Sequence, residues 1–306
     1  MMLTDEVLKY FHFDPDIEIT LEANPDDLNK DFLSGLSKTV VNRLSIGTQS
    51  FHDEDLKLMN RIHSGAEAED SIKRAQDHGF HNISLDLIYG SPVSDFEVWK
   101  NNLRKAVALE VPHISSYALT VEPKTALNSW IKTKKVPSPK DEEQRKEFHY
   151  MSDVLKDNGF IHYEISNFAK PGFYSRHNTA YWNNEPYLGI GPSAHSYNGR
   201  DKRSWNVANN TLDIKSLADN KLSSETEILS EKDRYNEIIM TGLRTASGVN
   251  IARLEESFSS EILDHFEKEL TKGLQSGVLK TTENHLIIPE ENWFLADGIA
   301  SDLFIL

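Results

Sequence analysis

The chain has 306 residues, 38% of them hydrophobic and 26% charged, the balance of a globular protein with room for one large domain, alone or beside a small one. With 48 acidic against 33 basic residues it carries a net charge of −15, a surface that repels phosphate backbones and excludes nucleic acid as a general partner. The absence of any cysteine excludes disulfides, a thiolate nucleophile, cysteine-type zinc sites and a cysteine-ligated iron–sulfur cluster within this chain.

The N-terminal MMLTDEVLKYFHF lacks the basic start and small-residue cleavage site of a signal peptide. No run of about 18 apolar residues provides an integral membrane segment, so a soluble, cytoplasmic protein is expected. A helix is predicted over 3–10, followed by four short apolar strands: IEITLEA (17–23), RLSIGTQ (43–49), ISLDLIYG (83–90) and HISSYALT (113–120). Amphipathic segments separate them: DDLNKDFLSGL, then DEDLKLMN with AEAEDSIKRAQDHG, then DFEVWKNNLRKAVAL. In the last, Phe96, Trp99, Leu103 and Val107 share a helical face, and Ser94 with Glu97 predicts a capping box. Strand–helix alternation near a thirty-residue repeat predicts an α/β fold with a parallel sheet, a partial (β/α) TIM-like barrel. Because only four units precede residue 135, the barrel is expected to be incomplete at its N-terminus, with one sheet edge exposed.

Lys132, Lys134 and Lys135 form the single evident basic cluster and, with VPSP at 136–139, read as a solvated linker. A helix is predicted over 141–157 with Phe148, Met151 and Leu155 inward, then one strand over 161–168. The stretch SRHNTAYWNNEPYLGIGPSAHSY (175–197) fits neither period and reads as a structured aromatic loop, with GIGPS as a tight turn. Beyond Leu229 the chain turns helical, with Ile262, Phe266, Leu270 and Leu274 as a core stripe. It ends in a hairpin (VLKTTENHLIIP) and a helix (NWFLADGIASDLF), an α+β, winged-helix-like module. Three regions are thus expected: a partial barrel over 1–135, barrel completion with the aromatic loop over 136–225, and a C-terminal helical domain over 226–306.

Ligands in parallel α/β folds sit beyond the C-terminal ends of the strands. The four strands end in polar residues: Glu22 and Asn24, Thr48 and Gln49, Asp86 within an apolar run, then Tyr117 and Glu122, with Arg61 in a following loop. Singly, each could cap a helix or satisfy a backbone group. Together they suit a polar, zwitterionic ligand, the acids taking an ammonium or hydroxyls and the arginine a carboxylate.

These same residues carry a family resemblance. ITLEANPDDL, NRLSIGTQSF, NRIHS and SLDLIYGSP resemble the radical S-adenosylmethionine (SAM) enzymes related to oxygen-independent coproporphyrinogen III oxidase. RHNTAYW, with GIGPSAHSY behind it, resembles the HNxxYW signature of their HemW-type heme-chaperone branch. The resemblance implies a barrel holding SAM at its open end, with Glu22, Gln49, Arg61 and Asp86 as SAM contacts. It also implies a [4Fe–4S] cluster on a CxxxCxxC loop followed by a Gly-Gly-Thr segment, neither of which this chain contains. About two βα units are therefore expected to be missing ahead of the chain, and no radical chemistry is expected from it as it stands.

A histidine in an aromatic stretch is, on its residues alone, either a hydrogen-bonded packing group or a ligand. In the light of the resemblance, His177 becomes the expected axial ligand of heme iron, with His195 as the alternative. Arg176 is then a partner for a propionate, Asn178 a support for the imidazole, and Tyr181 and Trp182 apolar walls. Two functions compete: a heme chaperone delivering heme to client hemoproteins, and a coproporphyrinogen III oxidase of porphyrin biosynthesis. RHNTAYW favours the chaperone, because porphyrinogen has no iron for an axial histidine to bind. The oligomeric state is left open.

Overall fold

Leu44 and Ile46, then Ile83, Leu85 and Leu87, then Ile114, are alternate residues of three adjacent strands, and all are wholly buried. Burying each such side chain contributes roughly 1.5–3 kcal/mol, and this apolar layer fixes the sheet of the first unit. The computed structural model describes residues 2–306, and the chain divides into two units, Met1–Tyr174 and Ser175–Leu306.

The first unit runs α1 (Met2–Val7), β1 (Thr20–Ala23), α2 (Lys30–Leu36), β2 (Arg43–Gln49), α3 (Asp53–Leu58), α4 (Gly65–Asp77), β3 (Ile83–Tyr89), α5 (Phe96–Ala108), β4 (His113–Ala118), α6 (Ala126–Lys132), α7 (Asp141–Asp157), β5 (Ile161–Glu164) and β6 (Asn167–Ala169). Its sheet has six strands in the order β1-β2-β3-β4-β6-β5, with β1 at one edge. The first four pair in parallel, as the strand–helix alternation predicts.

The strand expected over 161–168 is instead the hairpin of β5 and β6, which joins β4 antiparallel. The Glu164 carboxylate closes its turn by accepting from the Asn167 amide and the Ser166 N–H. The capping box expected at Ser94 is absent too. Asp95 caps α5, its carboxylate accepting from Glu97 and Val98 N–H at 3.0 Å each, while the Ser94 hydroxyl donates to Asp55. The buried face of α5 is Trp99, Asn102, Leu103 and Ala106, with Phe96 and Val107 half-buried beside it. A capping box unremarked in the sequence starts α4, where Ser64 and Glu67 bond reciprocally. Helix α7 buries Phe148, Met151 and Leu155 as predicted, and its Glu147 accepts the Gly90 N–H at 2.6 Å.

The second unit opens with α8 (Arg176–Trp182), then β7 (His195–Tyr197), β8 (Lys202–Asn206), α9 (Asn210–Ala218) and β9 (Ser224–Ile228), the three strands forming one antiparallel sheet. The expected loop over 175–197 is thus a capped helix, a turn and a strand. Helix α8 spans seven residues and buries none of them, so no apolar period marks it.

The helices α10 (Glu231–Leu243), α11 (Ile251–Ser257) and α12 (Ser260–Ser276) follow, with β10 (Val249–Asn250), β11 (Lys280–Thr282) and β12 (His285–Ile287) as a second three-stranded sheet, and α13 (Ala296–Ser301) after it. Helices with a small antiparallel sheet match the winged-helix-like expectation. The α12 stripe is shorter than predicted: Ile262 and Phe266 are buried, whereas Leu274 is 41% exposed and Gly273, under Leu279, takes the inward position. The predicted last helix starts as a 3₁₀ turn, Glu290–Leu295, before α13.

Candidate functional site

Parallel register places alternate residues of β2, β3 and β4 on the sheet face opposite the apolar layer. Ser45, Ser84, Asp86, His113 and Ser115 meet there. The Ser45 hydroxyl lies 3.3 Å from both Asp86 oxygens and that of Ser84 at 3.4 Å from one. Ser84 Oγ also meets His113 Nδ1 at 2.8 Å, and His113 Nε2 meets the Tyr163 hydroxyl at 2.8 Å. Burial pushes the Asp86 carboxyl up to about 6, against the opposing pull of the Ser115 and Ser45 hydroxyls and of Arg43. Burial pulls His113 down to about 3, helped by the charge of Arg43, so its imidazole is neutral. Arg43 is itself buried, 3.9 Å from the Glu18 carboxylate, and its Nε has no hydrogen-bond partner.

Some of the predicted residues meet near the C-terminal ends of these strands. Glu22 stands in register with Ser45, and its charge bears on Asp86. Arg61 Nη1 donates to Asn24 Oδ1 at 2.9 Å, which ties the loop arginine to the end of β1. Gln49 Nε2 lies 3.0 Å from where a Gly47 Cβ would stand, and Asn24 Oδ1 3.7 Å from the same point, so the missing side chain leaves room for both amides. Tyr117, near the end of β4, is 45% exposed as a residue but its hydroxyl end is buried, and this burial, with the Asp86 charge, raises the pKa of that hydroxyl. Glu122 uses its backbone carbonyl to bond Thr125 and Asn128 at the start of α6.

Sequence reasoning missed His63. Gln49 has φ of 64°, a left-handed conformation rare for a side chain of its size. The peptide before it is held at the Thr48 carbonyl, which accepts from His63 Nε2 at 3.1 Å and from the Ser50 N–H at 2.8 Å. The His63 ring is buried, its Nδ1 3.8 Å from the Asp26 carboxylate. Its only sequence signal is its place two residues after Arg61 in NRIHS.

The donor set divides the implied cofactors. Two carboxylates, an amide and a guanidinium fit the hydroxyls and zwitterionic end of SAM. A four-iron cluster does not fit, because the chain supplies no thiolate. Among the described residues no group of three or more His, Asp and Glu side chains is placed to hold a metal ion.

In the second unit Ser175 caps α8, its hydroxyl accepting from the Asn178 N–H at 3.3 Å. His177 is exposed on the helix and stands edge-on to Tyr181, with ring centroids 4.7 Å apart. Tyr181 in turn meets Tyr187 at 4.7 Å, so the expected aromatic wall beside His177 is built from tyrosines. Trp182 turns elsewhere: the Arg244 guanidinium lies 5.4 Å over its ring, and its buried indole Nε1 has no partner. His195 is on β7, paired in register with Trp205 of β8, with rings 6.0 Å apart. Both line a cavity of about 550 Å³.

Comparison with known proteins follows this division. Residues 2–116 match the Radical SAM superfamily and 229–295 the HemN C-terminal domain. The chain is 32% identical to the heme chaperone HemW of Lactococcus lactis subsp. lactis over 92% of its own length and 74% of that protein. HemW of Bacillus subtilis gives the same identity and the same coverage, and Escherichia coli HemW is 39% identical over 59% of this chain and 47% of its own. Among solved structures, the radical SAM enzyme coproporphyrinogen III oxidase (HemN) from E. coli superposes over 99% of this chain and 73% of its own, with a TM-score of 0.81. At 22% identity that likeness establishes the fold alone. By the HemW proteins of L. lactis and B. subtilis, each matched over 74% of its length, and by the two domains it carries, this chain belongs to the HemW family of the radical SAM superfamily.

Proposed function

We propose that this chain is a heme chaperone, binding heme and passing it to client hemoproteins, with His177 as the axial ligand of the iron. The observation that carries this reading is the exposed His177 imidazole held edge-on by Tyr181 on a capped helix. A surface imidazole suits capture and release of a cargo better than a closed heme pocket does. Arg176 precedes it on the same helix. Curated relatives named heme chaperone resemble the chain at 31–39% identity.

The polar face of the first unit is assigned to SAM on this reading. Asp86 and Glu22 would accept from its hydroxyls or ammonium, Arg61 would meet its carboxylate, and Gln49 would offer an amide. The [4Fe–4S] cluster, where a family member holds one, supplies the electron that cleaves SAM. No residue of this chain offers it a thiolate, so the chain alone binds SAM without cleaving it. The oxidase reading requires that cleavage and has only the shared fold in its favour.

Hemin titration of the purified protein tests the proposal. Binding with a shifted Soret band is expected, weakened at least tenfold in His177→Ala. A wild-type protein that takes up no hemin overturns it.

A further inference from the structure

The second unit holds a second imidazole in a setting unlike that of α8. His195 lies on β7 opposite Trp205, their rings 6.0 Å apart and inclined by 30°. The cavity beside them, about 550 Å³, lies within the range of roughly 300–1,000 Å³ typical of small-molecule sites. Its walls mix Val207 and Ala208 with the hydroxyls of Ser193 and Ser223. Neither ring nitrogen of His195 is engaged by another group among the described residues, so the imidazole is available to a ligand.

This cavity is built rather than incidental. The turn Gly189–Ser193 is pinned to the strands: Gly189 N–H donates to Ser196 Oγ at 2.9 Å, Asn206 Nδ2 to the Gly191 carbonyl at 2.9 Å, and Ser193 N–H to the Val207 carbonyl at 3.2 Å. A Cβ at Gly189 would run into the His195 backbone carbonyl, so only glycine lets the turn lie this close to β7. The turn's apolar side chains, Leu188 and Ile190, are 63% and 68% exposed instead of packed into a core.

An unengaged imidazole, a tryptophan face and the apolar patch of Val207 and Ala208, within an otherwise polar lining, can receive a planar, metal-bearing ring. We infer that this cavity is a second heme-contacting site, with His195 meeting the iron and Trp205 forming one wall. The inference rests on the heme-binding reading above and adds to it a cavity site on the β7–β8 sheet, separate from the one on α8. The lining contains neither lysine nor arginine and does include the Glu225 carboxylate, so the ring enters with its propionates turned to solvent and away from that acid.

The test is a stoichiometric hemin titration, followed by absorption and electron paramagnetic resonance, of wild type, His177→Ala, His195→Ala, the double variant and Val207→Phe. The last narrows the cavity and keeps both histidines. Circular dichroism verifies that each is folded. Two equivalents are expected in wild type. His177→Ala should keep one, with an imidazole-ligated signature that vanishes in the double variant, and Val207→Phe should weaken the cavity equivalent at least tenfold. The inference falls if His177→Ala removes all imidazole-ligated heme. It falls equally if His195→Ala and Val207→Phe both titrate as wild type, and in either case the α8 proposal stands. A wild type that binds no hemin overturns both. Loss in His195→Ala with none in His177→Ala upholds the cavity and removes the α8 ligand.

Discussion

His63 shows how one side chain can act through another. Gln49 occupies a left-handed conformation that costs on the order of 1 kcal/mol or more unless its neighbours hold it. His63 Nε2 supplies one of the two hydrogen bonds on the preceding carbonyl. His63→Leu should therefore loosen residues 48–52, seen as faster amide hydrogen exchange, and weaken SAM binding about tenfold by calorimetry, the equivalent of one hydrogen bond of roughly 1.4 kcal/mol. His63→Gln, which keeps a donor at similar reach, should restore both. Unchanged exchange in His63→Leu would remove the positioning role whether or not SAM binds. Glu147 makes a separate prediction. Burial pushes its carboxyl up to about 7 from an ordinary 4.5, against the Gly90 N–H that favours the charged form. The folded state thus holds this proton more tightly than the unfolded chain does. The associated stability is complete below about pH 4.5 and is lost as pH rises through 7, by roughly 3 kcal/mol at full ionisation. Glu147→Gln keeps a carbonyl acceptor and cannot ionise. Its melting temperature relative to wild type should climb between pH 5 and pH 8, and a flat difference would contradict this.

At the scale of elements, the helix bearing His177 depends on its cap. Helix α8 has no buried residue to anchor it, and Ser175 satisfies one of its free N–H groups. Ser175→Ala should cost about 1 kcal/mol of local stability and weaken hemin binding severalfold without removing a ligand, while Ser175→Asp should retain both. Equal affinity in all three proteins would show that the helix need not be preformed. The same weakness explains why α8 was illegible in the sequence. The parallel strands were readable because their inward apolar residues, such as Leu85 and Leu87, recur every second position between punctuating glycines. A seven-residue exposed helix has no such pattern, and only its Ser-x-x-Asn start marks it. The β5–β6 hairpin escaped for a related reason: each arm is too short to carry a period, and its turn is closed by side chains, Glu164 and Asn167, that read equally well as strand residues. In the site, Glu22, Gln49, Arg61 and Asp86 were legible as polar residues at strand ends. His63 was not, since its contact with Thr48 exists only once β2 and the following loop have folded together.

For the molecule as a whole, the decisive property is what its donors are. Its 48 acidic residues and 12 histidines are oxygen and nitrogen ligands, and no cysteine accompanies them. Four-iron clusters are held by soft thiolates, and hard carboxylates dispersed over an acidic surface do not replace them. Binding and cleavage of SAM should therefore separate in this chain. Anaerobic incubation with iron and sulfide should leave no cluster absorbance after desalting, and dithionite with SAM should yield no 5′-deoxyadenosine above a protein-free control. Calorimetry on the same sample should still detect SAM, with the affinity lowered at least tenfold in Asp86→Ala because a buried acceptor is lost. Hemin uptake should be unaffected by that substitution, since its residues lie in the other unit. Production of 5′-deoxyadenosine would mean that nitrogen and oxygen donors can assemble a redox-active cluster here, and the donor argument would fail. Absence of SAM binding together with intact hemin uptake would confine this chain's function to its second unit.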